Sequence, residues 1–259
     1  KDLFVAVFAN LAHNENRILK ISESLKAYND RVKDHFANSN RFDGSNTQPF
    51  TQYVEGGSQT SIWGVPSLGI DPATGEEIFI RPDGSITNTW NTNDQVVLGD
   101  MEPKIQGTFG LNATYKNLSL YMTFMYEAGG QIYNSTLRDK VEDVNVYTSN
   151  VDKRVFSERW QEPGDKARYR KLTSGVGGSI MRTRPTSRFV EDNNVLTLNS
   201  ISLGYDFDAG QKWMKTIGLS MLRFEISAND VCRWSSVKVE RGLNYPYARS
   251  FNFSLKAAF

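Results

Sequence analysis

Residues 251–259 read FNFSLKAAF, and this stretch decides the fold. Phe251, Phe253, Leu255, Ala257 and Phe259 fall on one face of an extended chain, and Asn252, Ser254, Lys256 and Ala258 on the other. Successive side chains of a strand point to opposite faces, so this period of two predicts a β-strand with one apolar face. The pattern recurs upstream. Leu222, Phe224, Ile226 and Ala228 alternate with Arg223, Glu225, Ser227 and Asn229. Ile201, Leu203, Tyr205 and Phe207 alternate with Ser200, Ser202, Gly204 and Asp206. Ile105, Phe109, Leu111, Ala113 and Tyr115 alternate with Gln106, Thr108, Asn112 and Thr114, and Leu118, Leu120, Met122, Phe124 and Tyr126 share a face. The opening run from Leu3 to Leu11 predicts a sixth strand, with apolar residues on both faces.

The connections alternate in length. Lys116-Asn117 is a tight turn and Asp208 to Thr216 a short link, whereas residues 12–104, 134–187 and 232–247 form long connections. Compact soluble domains seldom carry loops of that length, while outer-membrane barrels pair short periplasmic turns with long outside loops. The strands run to about ten residues, as a tilted membrane crossing requires. Tyr115, Tyr126, Tyr205, Phe207, Trp213 and Phe259 lie near strand ends, where an interfacial aromatic girdle would sit. The faces opposite the apolar ones read as uniformly polar. Within the first long connection, Pro82-Asp83-Gly84 predicts a small hairpin. Ile18, Ile21, Leu25 and Tyr28 have roughly helical spacing, so residues 14–32 read either as a short helix or as continued strand.

Composition narrows the choice. The 259 residues carry a net charge of +1, against a dedicated nucleic-acid binder. One cysteine and two histidines leave no disulfide framework and no common zinc site. No stretch approaches the ~18 apolar residues of a membrane helix, and mean hydropathy is −0.47. Two architectures then explain the alternation. In a secreted β-sandwich that binds carbohydrate, the apolar face is a core. In a membrane barrel it faces lipid. Loop asymmetry, strand length and aromatic placement favour the all-β barrel. Six strands fall short of the roughly eight that close the smallest one, so further strands are expected upstream or in another chain. Lys1 opens directly on an apolar run, which gives the same expectation that residues 1–259 belong to something longer.

The ordered motifs resemble the C-terminal part of a SusC/RagA-type TonB-dependent outer-membrane transporter. They are GIDPATGEEIF (69–79), DG (83–84), LGDMEPKIQGTFG (98–110), YEAGGQIYN (126–134), RWQEPGD (159–165), SRFVEDNNVLTLNSISLGYDF (187–207), LRFEISANDV (222–231) and YARSFNFSLKAAF (247–259). The last connection, with Asn229 to Cys232 and Glu240 to Leu243, fits the pattern loosely. The resemblance implies a plugged barrel of about 22 strands, of which this chain supplies about the last six with three long extracellular loops. It further implies energy from TonB through an N-terminal part, uptake of oligosaccharides or peptides, and a SusD-like lipoprotein lid. The setting it implies is the outer membrane of a Gram-negative, Bacteroidetes-like bacterium, where the loops meet lipid and lipopolysaccharide. A carrier of this type is no enzyme and needs no cofactor.

Candidate residues follow from phase. Asn112, Arg223 and Glu225 are ligand-facing candidates on the polar side, alongside Thr114, Asn229, Asn252 and Lys256. Loop aromatics offer flat plates for sugar rings, and Tyr133 and Trp160 are chosen among Tyr53, Trp63, Trp90 and Tyr147; packing within the loops competes with that role. The ten basic residues between Lys153 and Arg188 suit lipopolysaccharide phosphates or an acidic ligand, or else a solvated loop with local ion pairs. Asp71, Asp83, Asp94 and Asp100 lack EF-hand spacing and fit Asx turns better than calcium. Glu158, Glu162 and Asp165 beside Pro163-Gly164 read as a turn rather than a glycosidase pair.

Overall fold

The computed structural model describes residues 2–39, 42, 44–148, 150–172, 181–208, 210–237 and 249–259. In chain order the strands are β1 (Leu3–Ala12), β2 (Ser61–Gly64), β3 (Ser67–Ile70), β4 (Glu77–Ile80), β5 (Ile86–Thr87), β6 (Val96–Asp100), β7 (Ile105–Tyr115), β8 (Leu118–Tyr133), β9 (Val190–Phe207), β10 (Met221–Ser235) and β11 (Ser250–Ala258). The helices are α1 (Glu23–Asn38), α2 (Ser135–Leu137), α3 (Arg154–Ser157) and α4 (Lys212–Thr216). The chain divides into two units. One comprises residues 1–14, 103–129 and 193–259, the other residues 15–102 and 130–192.

The first unit is built on one six-stranded sheet in the order β1-β7-β8-β9-β10-β11. The pairings whose register is defined are antiparallel, and they keep the alternation in phase from strand to strand. Val7 pairs with Leu111 and Leu111 with Met122; Leu203 pairs with Ile226 and Ile226 with Phe253. Directly opposed residues share a face, so the apolar residues of neighbouring strands form one continuous surface. That surface lies open: Leu203 is 44% exposed, Phe251 62% and Phe253 70%. A sandwich would seal these residues under a second sheet. Phe109 and Phe124 stack across β7 and β8 with centroids 4.9 Å apart.

The opposite face carries Phe4 and Phe8 on β1, whose two faces are both apolar as expected, and departs from the uniform polarity expected at Tyr121 and Met125 on β8, beside Asn10, Thr108 and Asn112. The rings of Phe8 and Tyr121 lie nearly parallel, 17° apart. Trp213 lies in the 208–216 link, on α4, and meets Phe207 at the end of β9 edge-on at 5.9 Å. β10 continues to Ser235 through a bulge between Asn229 and Cys232, where Asp230 adopts a φ of +52°. The loosely fitting stretch Glu240 to Leu243 lies outside the described residues.

The second unit is formed from the long connections. Its helix lies at Glu23–Asn38, later than the helical spacing of residues 14–32 suggests. Ile18 instead makes backbone bonds with Gly56 and Gly57, and the Ser22 hydroxyl caps the helix by accepting from Leu25 N–H, satisfying one of its free donors. β3, β4 and β5 form a three-stranded sheet whose last turn is the Pro82-Asp83-Gly84 hairpin; Asp83 accepts from Ser85 N–H and Gly84 takes a φ of +82°. Ile62, Leu137, Val141, Val144, Val155, Tyr169 and Phe189 pack with Tyr133 as this unit's core.

The two faces of the sheet should respond oppositely to charge. Ile226→Lys on the apolar face is expected to cost about 2–4 kcal/mol in lipid vesicles, and Ser227→Lys on the neighbouring face about 0.5 kcal/mol. Urea titration of the vesicle-folded protein measures both; equal costs would contradict the assignment of faces.

Candidate functional site

Arg223 and Glu225 occupy the polar face of β10 and anchor a polar row across four strands, with its charges on β9, β10 and β11. Arg223 Nη1 donates to Asp206 Oδ2 on β9 at 3.0 Å, and Nη2 reaches Ser119 Oγ on β8 at 2.9 Å. That reach depends on Gly204: a Cβ there would lie 2.6 Å from both Arg223 Nη2 and Ser119 Oγ. Glu225 accepts from Ser202 Oγ at 2.9 Å, and Lys256 Nζ on β11 stands 4.0 Å from its carboxylate. Arg223 and Lys256 are directly opposed in register, and Glu225 lies between their charges. Half-exposed pairs of this kind contribute about 0–1 kcal/mol each, so the row fixes side-chain positions more than it stabilises the sheet. Asn112 is exposed on the same face of β7, opposite Ala6 and Tyr121.

The two aromatic candidates have structural neighbours. Tyr133 is 9% exposed, edge-on to Phe189 at 6.0 Å and beneath the Arg138 guanidinium. Trp160 donates from Nε1 to the Pro72 carbonyl at 2.8 Å, and its ring fills the space above Gly75. A Cβ at Gly75 would lie 2.5 Å from that ring, and the residue's φ is +70°. Both rings therefore hold the long connections together. Tyr147, by contrast, is 80% exposed.

The basic stretch is divided: Lys153, Lys166 and Arg168 are exposed, and Arg154 and Arg168 pair locally with Asp152 and Glu191, while others turn inward. Arg159 and Arg170 are each 5% exposed, although arginine is seldom buried without partners. Arg170 Nη2 bonds Asp143 Oδ1 at 3.0 Å, and its Nε lies 3.3 Å from Glu142 Oε1. Arg188 Nη2 joins Glu142 to Glu77, at 2.8 Å from each. Arg159 ties the Val141, Glu142, Val155 and Arg170 carbonyls together, and Thr183 donates to Asp143 through both its N–H and its hydroxyl. Burial would push the Glu142 carboxyl up, but Arg188 and Arg170 outweigh it and hold the group below the usual carboxylate range. Burial does push the Asp143 carboxyl up. Sequence reasoning missed this network. Its visible signal is VEDV at 141–144, a carboxylate pair set inside an apolar run.

Among the remaining acidic candidates, Asp94 lies 3.9 Å from Arg81, while others serve the backbone. Asp165 caps the Gln161 and Glu162 N–H groups, and Asp71 those of Ala73 and the Thr74 hydroxyl. Among the described residues, no group of three or more His, Cys, Asp or Glu side chains is placed to hold a metal.

With this geometry in place, known proteins resolve the fold. No family model matches the chain. It is 23% identical over 230 residues to "TonB-dependent receptor P3" of Formosa agariphila, covering 86% of this chain and 21% of that protein. It is 24% identical over 149 residues to "TonB-dependent receptor P26" of the same organism, covering 58% of this chain and 14% of the relative. The solved RagAB peptide transporter superposes on the whole chain with a TM-score of 0.73 at 20% identity, over 28% of the transporter chain. The RagAB importer in its closed-closed state gives 0.72 at 21% identity, again over 28%. In fold, the sheet matches a section of the solved RagAB transporter chain. The chain spans about a fifth of the first relative's length.

Removing one partner from the buried network leaves the others uncompensated. Glu142→Gln is expected to destabilise the second unit by about 3 kcal/mol near neutral pH, read as faster hydrogen exchange at residues 137–144 and 183–189. Because the folded Glu142 pKa is lowered, its stabilisation is complete above the unfolded value of about 4.3 and fades as pH falls through the folded one. The gap between the two proteins is therefore widest above about pH 5 and narrows in acid. Asp143 shifts in the opposite sense but is common to both. A gap that widens in acid would contradict the pairing.

Proposed function

We propose that the chain forms part of an outer-membrane nutrient importer that takes up oligosaccharides or peptides, driven through TonB and working with a SusD-like lipoprotein lid. One observation carries this reading. Six strands form one sheet, and in its pairings of defined register one face is apolar while the other carries a hydrogen-bonded polar row on β8 to β11. That combination suits a wall between hydrocarbon and a wet passage. The likeness to TonB-dependent receptors and to a solved peptide importer supports the direction of function, and the resemblance of the motifs supplies the plug, the remaining barrel strands and the lid.

In this reading Asn112, Arg223 and Glu225 offer donors and acceptors to solute moving along the wall, where a few well-placed polar groups set selectivity. Tyr133 and Trp160 contribute by keeping the extracellular loops in shape. The lid closes over those loops and the plug yields from below.

Deletion of the gene in the cells that make this protein, followed by uptake of labelled oligosaccharide and peptide pools, tests the proposal. Uptake of one pool is expected to fall at least about tenfold and to return with the intact gene. Unchanged uptake of both pools would overturn importer function, and a β-barrel that only secretes or assembles other proteins would give that result.

A further inference from the structure

In the second unit a small cavity of about 70 Å³ lies among Phe79, Trp90, Arg182 and Arg184, with exposed Asn88 and Thr89 also lining it. Trp90 is held firmly there. Its Nε1 donates to the Pro185 carbonyl at 3.0 Å, its ring meets Phe36 at 5.3 Å, and the Arg184 guanidinium covers it at 4.8 Å. The carboxylates that border the cavity are already matched. Glu77 takes Arg188 and the Thr186 hydroxyl, and Glu76 takes Lys171 at 2.9 Å. Arg170 at the same cavity is committed to Glu142 and Asp143.

Arg182 differs from these. Its Nη1 meets the Asp143 carbonyl at 3.2 Å, and among the described residues no carboxylate lies within ion-pair distance of it. A guanidinium presents five donors in a planar fork that suits the oxygens of a carboxylate or sulfate. The volume admits a group of that size and not a whole sugar ring, for which a single water's share of liquid is already about 30 Å³. The rest of such a ligand would extend past Asn88 and Thr89.

We propose that this cavity is an oxyanion subsite, in which Arg182 binds the carboxylate or sulfate of an acidic ligand beside Trp90. The inference rests on the importer reading and specifies a ligand class for it.

The test uses the whole protein purified in detergent, titrated calorimetrically with inorganic sulfate, with trigalacturonate and with the neutral methyl ester of trigalacturonate. Sulfate and trigalacturonate should bind, and the ester at least about tenfold more weakly. Arg182→Gln should weaken both anions by a similar factor, and Arg182→Lys, which keeps the charge but loses the planar fork, should recover only part of the loss. Asn88→Asp, at an exposed position that leaves packing untouched, should also weaken them. Equal affinity for acid and ester, or anion affinity unchanged in both Arg182→Gln and Asn88→Asp, would overturn the subsite. Displacement of sulfate by lipopolysaccharide but not by trigalacturonate would overturn it too, by assigning the cavity to a lipid phosphate. Sulfate binding that persists while cells import neither solute pool would sink the importer reading alone; intact import with no anion binding would sink the subsite alone.

Discussion

The structure depends on where the backbone of its strands finds hydrogen-bond partners. Inside hydrocarbon each unpaired N–H or C=O costs several kcal/mol, so a sheet there must leave no strand open. β7, β8, β9 and β10 each have a neighbour on both sides, while β1 and β11 have one each. In the barrel proposed above, the outer edges of β1 and β11 would pair with further strands, since a sheet with a lipid-facing side has no other stable way to end. On the same reading the solvent of the exposed Phe253 and Leu255 is hydrocarbon.

The sheet was legible in the sequence because a strand's signal is local. One residue points in and the next points out, and Phe251 to Phe259 shows this without any distant contact. Register adds the long-range information. A slip of one residue between β9 and β10 would turn Leu203 away from Ile226 and set Tyr205 among charges, so the apolar face itself specifies the pairing. The short Lys116-Asn117 turn and the strands flanking it were readable for the same reason. The ends were less so. α4 carries Trp213 within a link that looks like a plain turn, since five residues of helix leave little periodicity to read.

The second unit was hidden because its interactions join residues far apart in the chain. Glu77, Glu142 and Arg188 meet across 111 and 46 residues, and no local pattern announces such a meeting. A run of ten basic residues reads as a solvated or ligand-facing surface unless its partners are known. The burial of Arg159 and Arg170 turns that reading over for those two: most of their donors are consumed in holding 141–144 against 159 and 170. Trp160 is similar. A tryptophan in a polar loop suggests a sugar platform, yet the missing Cβ of Gly75 makes room for its ring, and only the fold shows that the two meet.

Glycine does comparable work on the polar face of the sheet, and there it connects structure to passage. Gly204 leaves the gap through which Arg223 reaches Ser119, so one side chain links β8, β9 and β10. A larger residue would displace the guanidinium from Ser119, since a Cβ at position 204 would lie 2.6 Å from both groups. With glycine present, Asp206, Arg223, Glu225 and Lys256 lie along the wall in alternating sign, and their charges cancel locally. Such a surface is polar enough to stay wet and balanced enough not to trap an ion of either sign.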